Sequence, residues 1–496
     1  MPHHLEHFTF ICSGVLIRAT RRIPLLTRGV LIGGRYTQRL AALVLITTIL
    51  CTSLIAGCGL IQQSGEEDGI PTIEVGVFDG GFGLDWYEST RDRFLKTRQS
   101  QDQPIRVDLW GDPRILDKLR PRILRGSPPD LSNAPLPFWK LVTSDALLPL
   151  DEWLDSPADD APETTWRETF LPGALSPYEY MGQVYSIPLV YNIWVVWYDQ
   201  TLFEQHGWEP PRTWREWEEL CDSILEAGIA PIAFQGKYSQ YAAPTLWSTL
   251  QRSVGVRKLN RCQNFEQGAF LDPDFIQAAD RIQKFAQKYF QEGYVSMSHT
   301  EAQMEFCNRR AAMVFCGLWL ENEMKNAFPD DFRLGCFGVP RIEGGRGSPR
   351  ALFANAGESF LVFRKGGNPR EAAQFLKFMT TADNATEWVR SVATVSPIRG
   401  ATPRDEVSEA LRMALDLIEQ ADYTYDDRLT FSSGIFPSFG NEVMTPAISK
   451  LLSGSMSPED FGQTIEEALE KIRNNPDIFK PPPRPIPRNA EPEPST

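Results

Sequence analysis

The stretch from Gln183 to Phe234 constrains this 496-residue chain more than any other. The run Ile193 to Tyr198 is dense in Val, Trp and Tyr, which suits a strand buried on both faces, with Trp194 and Trp197 packed in the core. Thr213-Trp214-Arg215-Glu216 fits a capping box, in which hydroxyl and carboxylate each satisfy an orphan N–H at a helix start. Trp214, Trp217, Cys221 and Ile224 then recur at three- and four-residue steps, so one helix face is apolar. After Gly228, Ile229-Ala230-Pro231-Ile232-Ala233-Phe234 reads as another strand. A strand, a capped helix and a strand predict a βαβ unit of a parallel sheet, and hence an α/β fold.

Several short motifs in this stretch occur together and in order. They are Tyr185-Ser186-Ile187-Pro188, Tyr198-Asp199-Gln200-Thr201-Leu202-Phe203, Pro210-Pro211-Arg212-Thr213-Trp214 and Gly228-Ile229-Ala230-Pro231-Ile232. Further on come Ala311-Ala312-Met313 with Gly317-Leu318-Trp319, and Asn368-Pro369-Arg370-Glu371 opening a helix. The set resembles the family 1 extracellular solute-binding proteins, the substrate-capturing subunits of ABC importers, a family that includes maltose-binding protein. The resemblance covers roughly residues 72 to 475 and is strongest from 183 to 380. One departure is Asn308-Arg309-Arg310, where the family carries a glycine turn.

The resemblance implies an α/β, two-lobe periplasmic-binding-protein fold of type II (Venus flytrap) with hinge crossings. Solute would lie between the lobes and be enclosed by their closure. The length independently suits two domains. Lobe one is expected from 72–191 and 347–397, and lobe two from 192–346 and 398–475, with Gly344 to Gly347 as a crossing. The proline-rich stretch 476–496 is expected to be a disordered tail.

Residues 1–57 read as a leader. Leu40 to Gly57 follow Arg35 and Arg39, are apolar, and end in small residues before Cys58, the order of a secretory signal. Ile55-Ala56-Gly57-Cys58 resembles the lipobox of bacterial lipoproteins, whose cysteine is acylated. The alternative is an uncleaved membrane span, for which the length just suffices, although a span has no need of small residues beside one cysteine. The residues before the apolar run are either an extended n-region or the product of a start codon assigned too early. Residues 58–71 would then be the lipidated cysteine and a flexible tether. This predicts an extracytoplasmic monomer held to the membrane by its lipid anchor, with ABC permease subunits as partners.

Six arginines and one glutamate precede Cys58, so the remainder is more acidic than the formal −14 of the whole chain, which disfavours nucleic acid. Five cysteines follow Cys58, an odd number that implies no regular disulfide framework. There is no Cys-x-x-Cys, and only His206 and His299 remain, so neither a metal nor a cofactor is expected.

A sugar presents apolar C–H faces ringed by hydroxyls, and its complement is aromatic plates flanked by carboxylates and amides. Tyr238, Tyr241 and Trp247 follow a strand end in a polar loop and suggest a binding wall. The family match implies Trp319 as an aromatic plate, Tyr238 and Tyr241 in the corresponding loop, and Asn192 where the family has an acid. It adds Asp79, Phe82, Asp85 and Trp86 after the first strand, and Asn133, Phe138 and Trp139 after the third. Asn355, Glu358, Phe439 and Asn441 complete the set, and the amide at Asn192 leaves the sugar's identity open. The leading expectation is a carbohydrate-binding importer subunit without chemistry of its own. The alternatives are a binding protein that reports to a membrane receptor, and an exported hydrolase using a carboxylate pair such as Asp79 and Glu358.

Overall fold

The computed structural model describes residues 69–490 apart from Gly81, Pro172, Ala393, 431–434 and 488–489. The expected leader, Cys58 and most of the expected tether lie outside the described residues. Among the described residues no helix is long and apolar enough to cross a membrane.

Strand β1 (Thr72–Phe78) forms because Ile73, Val75 and Val77 alternate, and all three are fully buried. It pairs in parallel with β2 (Arg106–Asp112) and β3 (Leu131–Ser132). A short antiparallel pair, β4 (Glu179–Tyr180) and β5 (Gln183–Val184), leads into β6 (Ser186–Asp199). The remaining strands are β7 (Ala230–Ala233), β8 (Ala311–Gly317), β9 (Leu334–Phe337), β10 (Leu352–Val362) and β11 (Thr424–Tyr425). The main sheet runs β2-β1-β3-β10-β6-β8-β7, with β9 on β6 and β11 on β10 as side branches.

Every residue of β6 is buried, and the strand starts at Ser186, well before the aromatic run that announced it. Its first part, Ser186 to Ile193, lies antiparallel to β10, while Trp194 to Asp199 lies between β8 and β9. β6 and β10 therefore pass between two groups of strands. Helices Asp85–Ser100, Pro369–Met379 and Ala382–Val392 cover the first group, while helices Ala243–Val254, Pro273–Tyr289, Thr445–Leu452 and Pro458–Asn474 pack together beside the second.

This arrangement corrects the expected βαβ unit. β8 stands between β6 and β7, antiparallel to the former and parallel to the latter, so β6 and β7 oppose each other. The direction of β6 is set by its passage from one group to the other, which the local pattern does not report. The intervening helix, Trp214–Glu226, buries Trp214, Trp217, Leu220, Cys221 and Ile224. Thr213 Oγ1 accepts the Glu216 N–H at 3.2 Å, but the Glu216 carboxylate accepts the Arg212 N–H at 2.8 Å, one residue upstream of a closed capping box.

The missing glycine turn is resolved at Arg309, which adopts φ +57 where glycine is favoured. Its guanidinium compensates by donating to Asp199 Oδ2 at 2.6 Å and Asp331 Oδ2 at 2.9 Å. Asp199 is 1% exposed and also caps the helix Gln200–His206, accepting the Thr201 N–H at 3.0 Å.

The Gly344 to Gly347 turn does not make the crossing. A Cβ on Gly345 or Gly347 would lie 2.3 Å from Arg252 O or 1.7 Å from Gln251 O, so this turn packs closely on the end of helix Ala243–Val254. The chain returns to the first group along β10. The tail also differs from expectation through residue 487. Ile478 packs on the core formed by the second group's strands and helices, here the second core, Arg484 pairs with Asp426, and the Arg484 N–H donates to Asn264 Oδ1 at 2.8 Å. The five cysteines from Cys221 to Cys336 are free and buried.

Candidate ligand-binding site

Two clusters of polar and aromatic side chains flank the crossing strands. The first is built at the ends of β1 and β3 and within β10. Asn133, just past β3, accepts the Phe78 N–H at 2.7 Å through Oδ1, which fixes the amide so that Nδ2 donates to Glu358 Oε2 at 2.8 Å. Tyr87 Oη lies 3.5 Å from the same carboxylate oxygen and 3.4 Å from Asn133 Nδ2. Glu358 sits in β10 at φ +48, a left-handed conformation uncommon for a residue with a side chain, and strain of this kind collects at functional positions. Burial pushes its carboxyl up to about 7, against the lowering effect of the Asn133 and Tyr87 hydrogen bonds. Beside it the Tyr178 hydroxyl bonds Ser359 Oγ, and burial pushes the Tyr178 phenol up to about 12. The band continues through Phe138, 5.6 Å from Tyr178 between ring centroids, to Trp139 and Tyr180.

The second cluster stands beyond β8. Trp319 packs edge-on against Trp194 at 5.2 Å, and Tyr241 does the same at 5.2 Å. His299 lies 5.1 Å from the Tyr241 ring, and its Nε2 is 3.3 Å from Trp319 Nε1, 2.8 Å from Gln303 Nε2 and 3.0 Å from Glu323 Oε2. Burial acts against ionisation of Glu323, yet the His299 and Gln303 hydrogen bonds hold it below the usual carboxylate range. Burial raises the Tyr241 hydroxyl pKa well above its ordinary value, so it stays a neutral donor and acceptor.

Asn192 ties the two crossing strands to each other and to the end of β8. It is 4% exposed, donates through Nδ2 to Asn355 Oδ1 at 3.0 Å across the β6–β10 pair, and accepts the Leu318 N–H at 2.8 Å beside Trp319. An acid here would carry a charge into this buried position, whereas the amide can donate and accept at once.

The other sequence candidates fall in different surroundings. Phe82 is half-buried, 5.2 Å from Trp388 in an edge contact, Asp79 is half-buried, and Asp85 is exposed in the first turn of its helix. Tyr238, in the same turn Gly236–Ala242 as Tyr241, is 40% exposed, and Asn355 and Asn441 are exposed. Two indoles are corrected to core positions. Trp86 is 5% exposed, donates to Asn384 O at 3.2 Å and packs against Trp388, while Trp247 is 0% exposed between Phe270 and Phe275. Both sit on the inward face of a helix, where aromatic area is worth most when removed from water. Phe439 is likewise buried. The residues unforeseen from sequence are Tyr87, Tyr178, Tyr180, His299, Gln303 and Glu323. Tyr87, His299, Gln303 and Glu323 lie in helices, and no local pattern sets any of the six apart from the other polar residues around them.

Two long strands crossing between two α/β groups, with amides, carboxylates and aromatic rings gathered at the crossing, define a two-lobe binding-protein fold. The model for bacterial extracellular solute-binding proteins matches residues 91–386, more than half of the chain, and the chain belongs to that family. It is 24% identical over 417 residues to a diacetylchitobiose binding protein of Streptomyces coelicolor, covering 82% of this chain and 86% of that one. It is 25% identical over 350 residues to a multiple sugar-binding protein of Streptococcus mutans, covering 67% of this chain and 76% of that one. Among solved structures, a chitin oligosaccharide binding protein matches with a TM-score of 0.65 at 17% identity, over 81% of this chain and 98% of the other. The galactopyranose-preferring solute receptor AcbH matches with a TM-score of 0.64 at 20% identity, over 81% and 99%.

Proposed function

We propose that this chain captures a carbohydrate between its two lobes and hands it to the permease of an ABC importer, anchored to the membrane by a lipid on Cys58. The lobes in this reading are the first and second groups of elements, with β6 as the outward crossing and β10 as the return crossing. The observation that carries the reading is the pair of clusters on either side of Asn192. Each combines an aromatic surface with amide and carboxylate groups able to donate and accept, the complement of a hydroxyl-rich ring. Asn133, Glu358, Asn192 and Asn355 would hold hydroxyl or amide groups, and Trp319, Tyr241 and Trp139 would cover C–H faces. Asp79, Phe82, Asp85, Tyr238 and Asn441 would form the rim.

Among sugars, an N-acetylated glucosamine disaccharide fits the relatives best. The Streptomyces coelicolor relative spans four-fifths of this chain and is a diacetylchitobiose binding protein, and a structural neighbour binds chitin oligosaccharides. An acetamido group is a neutral donor and acceptor, which the amide at Asn192 suits better than an acid does. Calorimetry of the chain from Cys58 onward against diacetylchitobiose, maltose, raffinose and galactose tests this. Diacetylchitobiose should bind tightest and be recovered unchanged. Binding of another sugar alone would overturn the ligand class, and no binding to any would overturn the carbohydrate reading.

A further inference from the structure

The proline-rich segment after the last helix makes an excursion that ordinary packing of a terminus does not require. Helix Pro458–Asn474 belongs to the second group of elements, where Arg473 donates to Phe265 O at 3.0 Å. From there Ile478 packs into the second core, and a few residues later the chain is fastened to the same group again. Arg484 pairs with Asp426, its N–H donates to Asn264 Oδ1 at 2.8 Å, and Asn260 Nδ2 donates to Pro485 O at 3.3 Å. Between these two fastenings Phe479 reaches to the first group. Its ring lies nearly parallel to Trp139, with centroids 6.3 Å apart and planes at 28°, and meets Tyr180 edge-on at 5.6 Å. The Arg428 guanidinium from the second group lies 5.6 Å from the Trp139 ring. A 6.3 Å centroid separation leaves no room for a pyranose between Trp139 and Phe479, because two stacked contacts of about 3.5–4 Å each are needed.

We infer that residues 475–487 form an intramolecular strap whose Phe479 covers the Trp139–Tyr180 platform, and that a carbohydrate must displace Phe479 to use it. The strap rests on the proposed sugar-binding reading for its consequence, but not for its contact. The proline content suits the role, since Pro481, Pro482, Pro483, Pro485 and Pro487 stiffen the segment and lower the entropy lost on holding it in place. Because both fastenings lie on one group of elements and the ring on the other, the strap also links the two groups. Opening the lobes would pull Phe479 from its platform, and a ligand on the platform would release one tie between them.

The test uses the mature chain carrying fluorotryptophan, with the Trp139 resonance assigned through Trp139→Phe, and compares it with Phe479→Ala and with a deletion of residues 476–496. In the ligand-free state the Trp139 resonance should shift in both variants. Affinity for diacetylchitobiose should rise roughly three- to tenfold, the worth of one aromatic pair. An unmoved Trp139 resonance in the folded Phe479→Ala protein would overturn the strap. A fall in affinity would overturn the competition, because Phe479 would then be a wall of the site. If no sugar binds wild type or variant, the carbohydrate reading fails, and the ligand-free Trp139 resonance alone supports or overturns the strap.

Discussion

At the scale of single residues, burial and strain identify Glu358 where residue type alone does not. A carboxyl in the unfolded chain titrates near 4.5, whereas the folded Glu358 retains its proton to about 7. Between those values the folded protein binds more protons than the unfolded one, so stability attributable to this group is full below pH 4.5, falls as pH rises, and levels off above 7. Glu358→Gln should remove that fall. Urea midpoints should show the variant gaining about 1–3 kcal/mol on wild type between pH 4.5 and pH 8, the worth of the shift after allowing for partial exposure. A constant difference between the two proteins across that range would contradict the assignment. Sequence placed Glu358 in the site through the family match, but not its left-handed backbone or its hydrogen bonds to Asn133 and Tyr87, which join residues far apart in the chain.

Elements show the same division between local and distant causes. Helix Trp214–Glu226 was legible because its apolar face and its N-cap threonine lie within one stretch of chain. The opposed directions of β6 and β7 were not, since β8, which separates them, comes from a segment about eighty residues further on. The turn at Gly344 to Gly347 read as a linker because glycines mark flexible joints, and the structure gives them a different task. They allow the chain to lie against the carbonyls of Gln251 and Arg252. Gly347→Ala would force a methyl into a backbone oxygen and should cost about 1–3 kcal/mol in thermal or urea unfolding. A wild-type midpoint would show that this close approach is dispensable. The same contrast holds for the indoles, where Trp247 in a helix and Trp319 after a strand are alike in composition but differ in whether the surrounding surface closes over them.

For the whole molecule, the two crossing strands, paired along Ser186 to Ile193 and joined by the Asn192–Asn355 hydrogen bond, connect the two groups. Capture by closure requires contacts that exist only in the closed state. On the proposed reading, solution scattering should show the radius of gyration contracting at saturating diacetylchitobiose. Trp319→Ala should bind about 1–4 kcal/mol more weakly yet contract equally at saturation. Binding without contraction would exclude capture between lobes, and unchanged affinity would remove Trp319 from the site.

The α/β class, the family, and the helices and strands whose burial pattern repeats along neighbouring residues are legible from the chain alone, because those properties are carried by periodicity and by motifs in one continuous stretch. Which indoles face the core, which way β6 runs relative to β7, how Glu358 is held, and where the proline-rich tail comes to rest were decided only by the tertiary structure. Each depends on contacts between residues distant along the chain, and the free energy of such contacts comes from surfaces that exist only once the chain has folded.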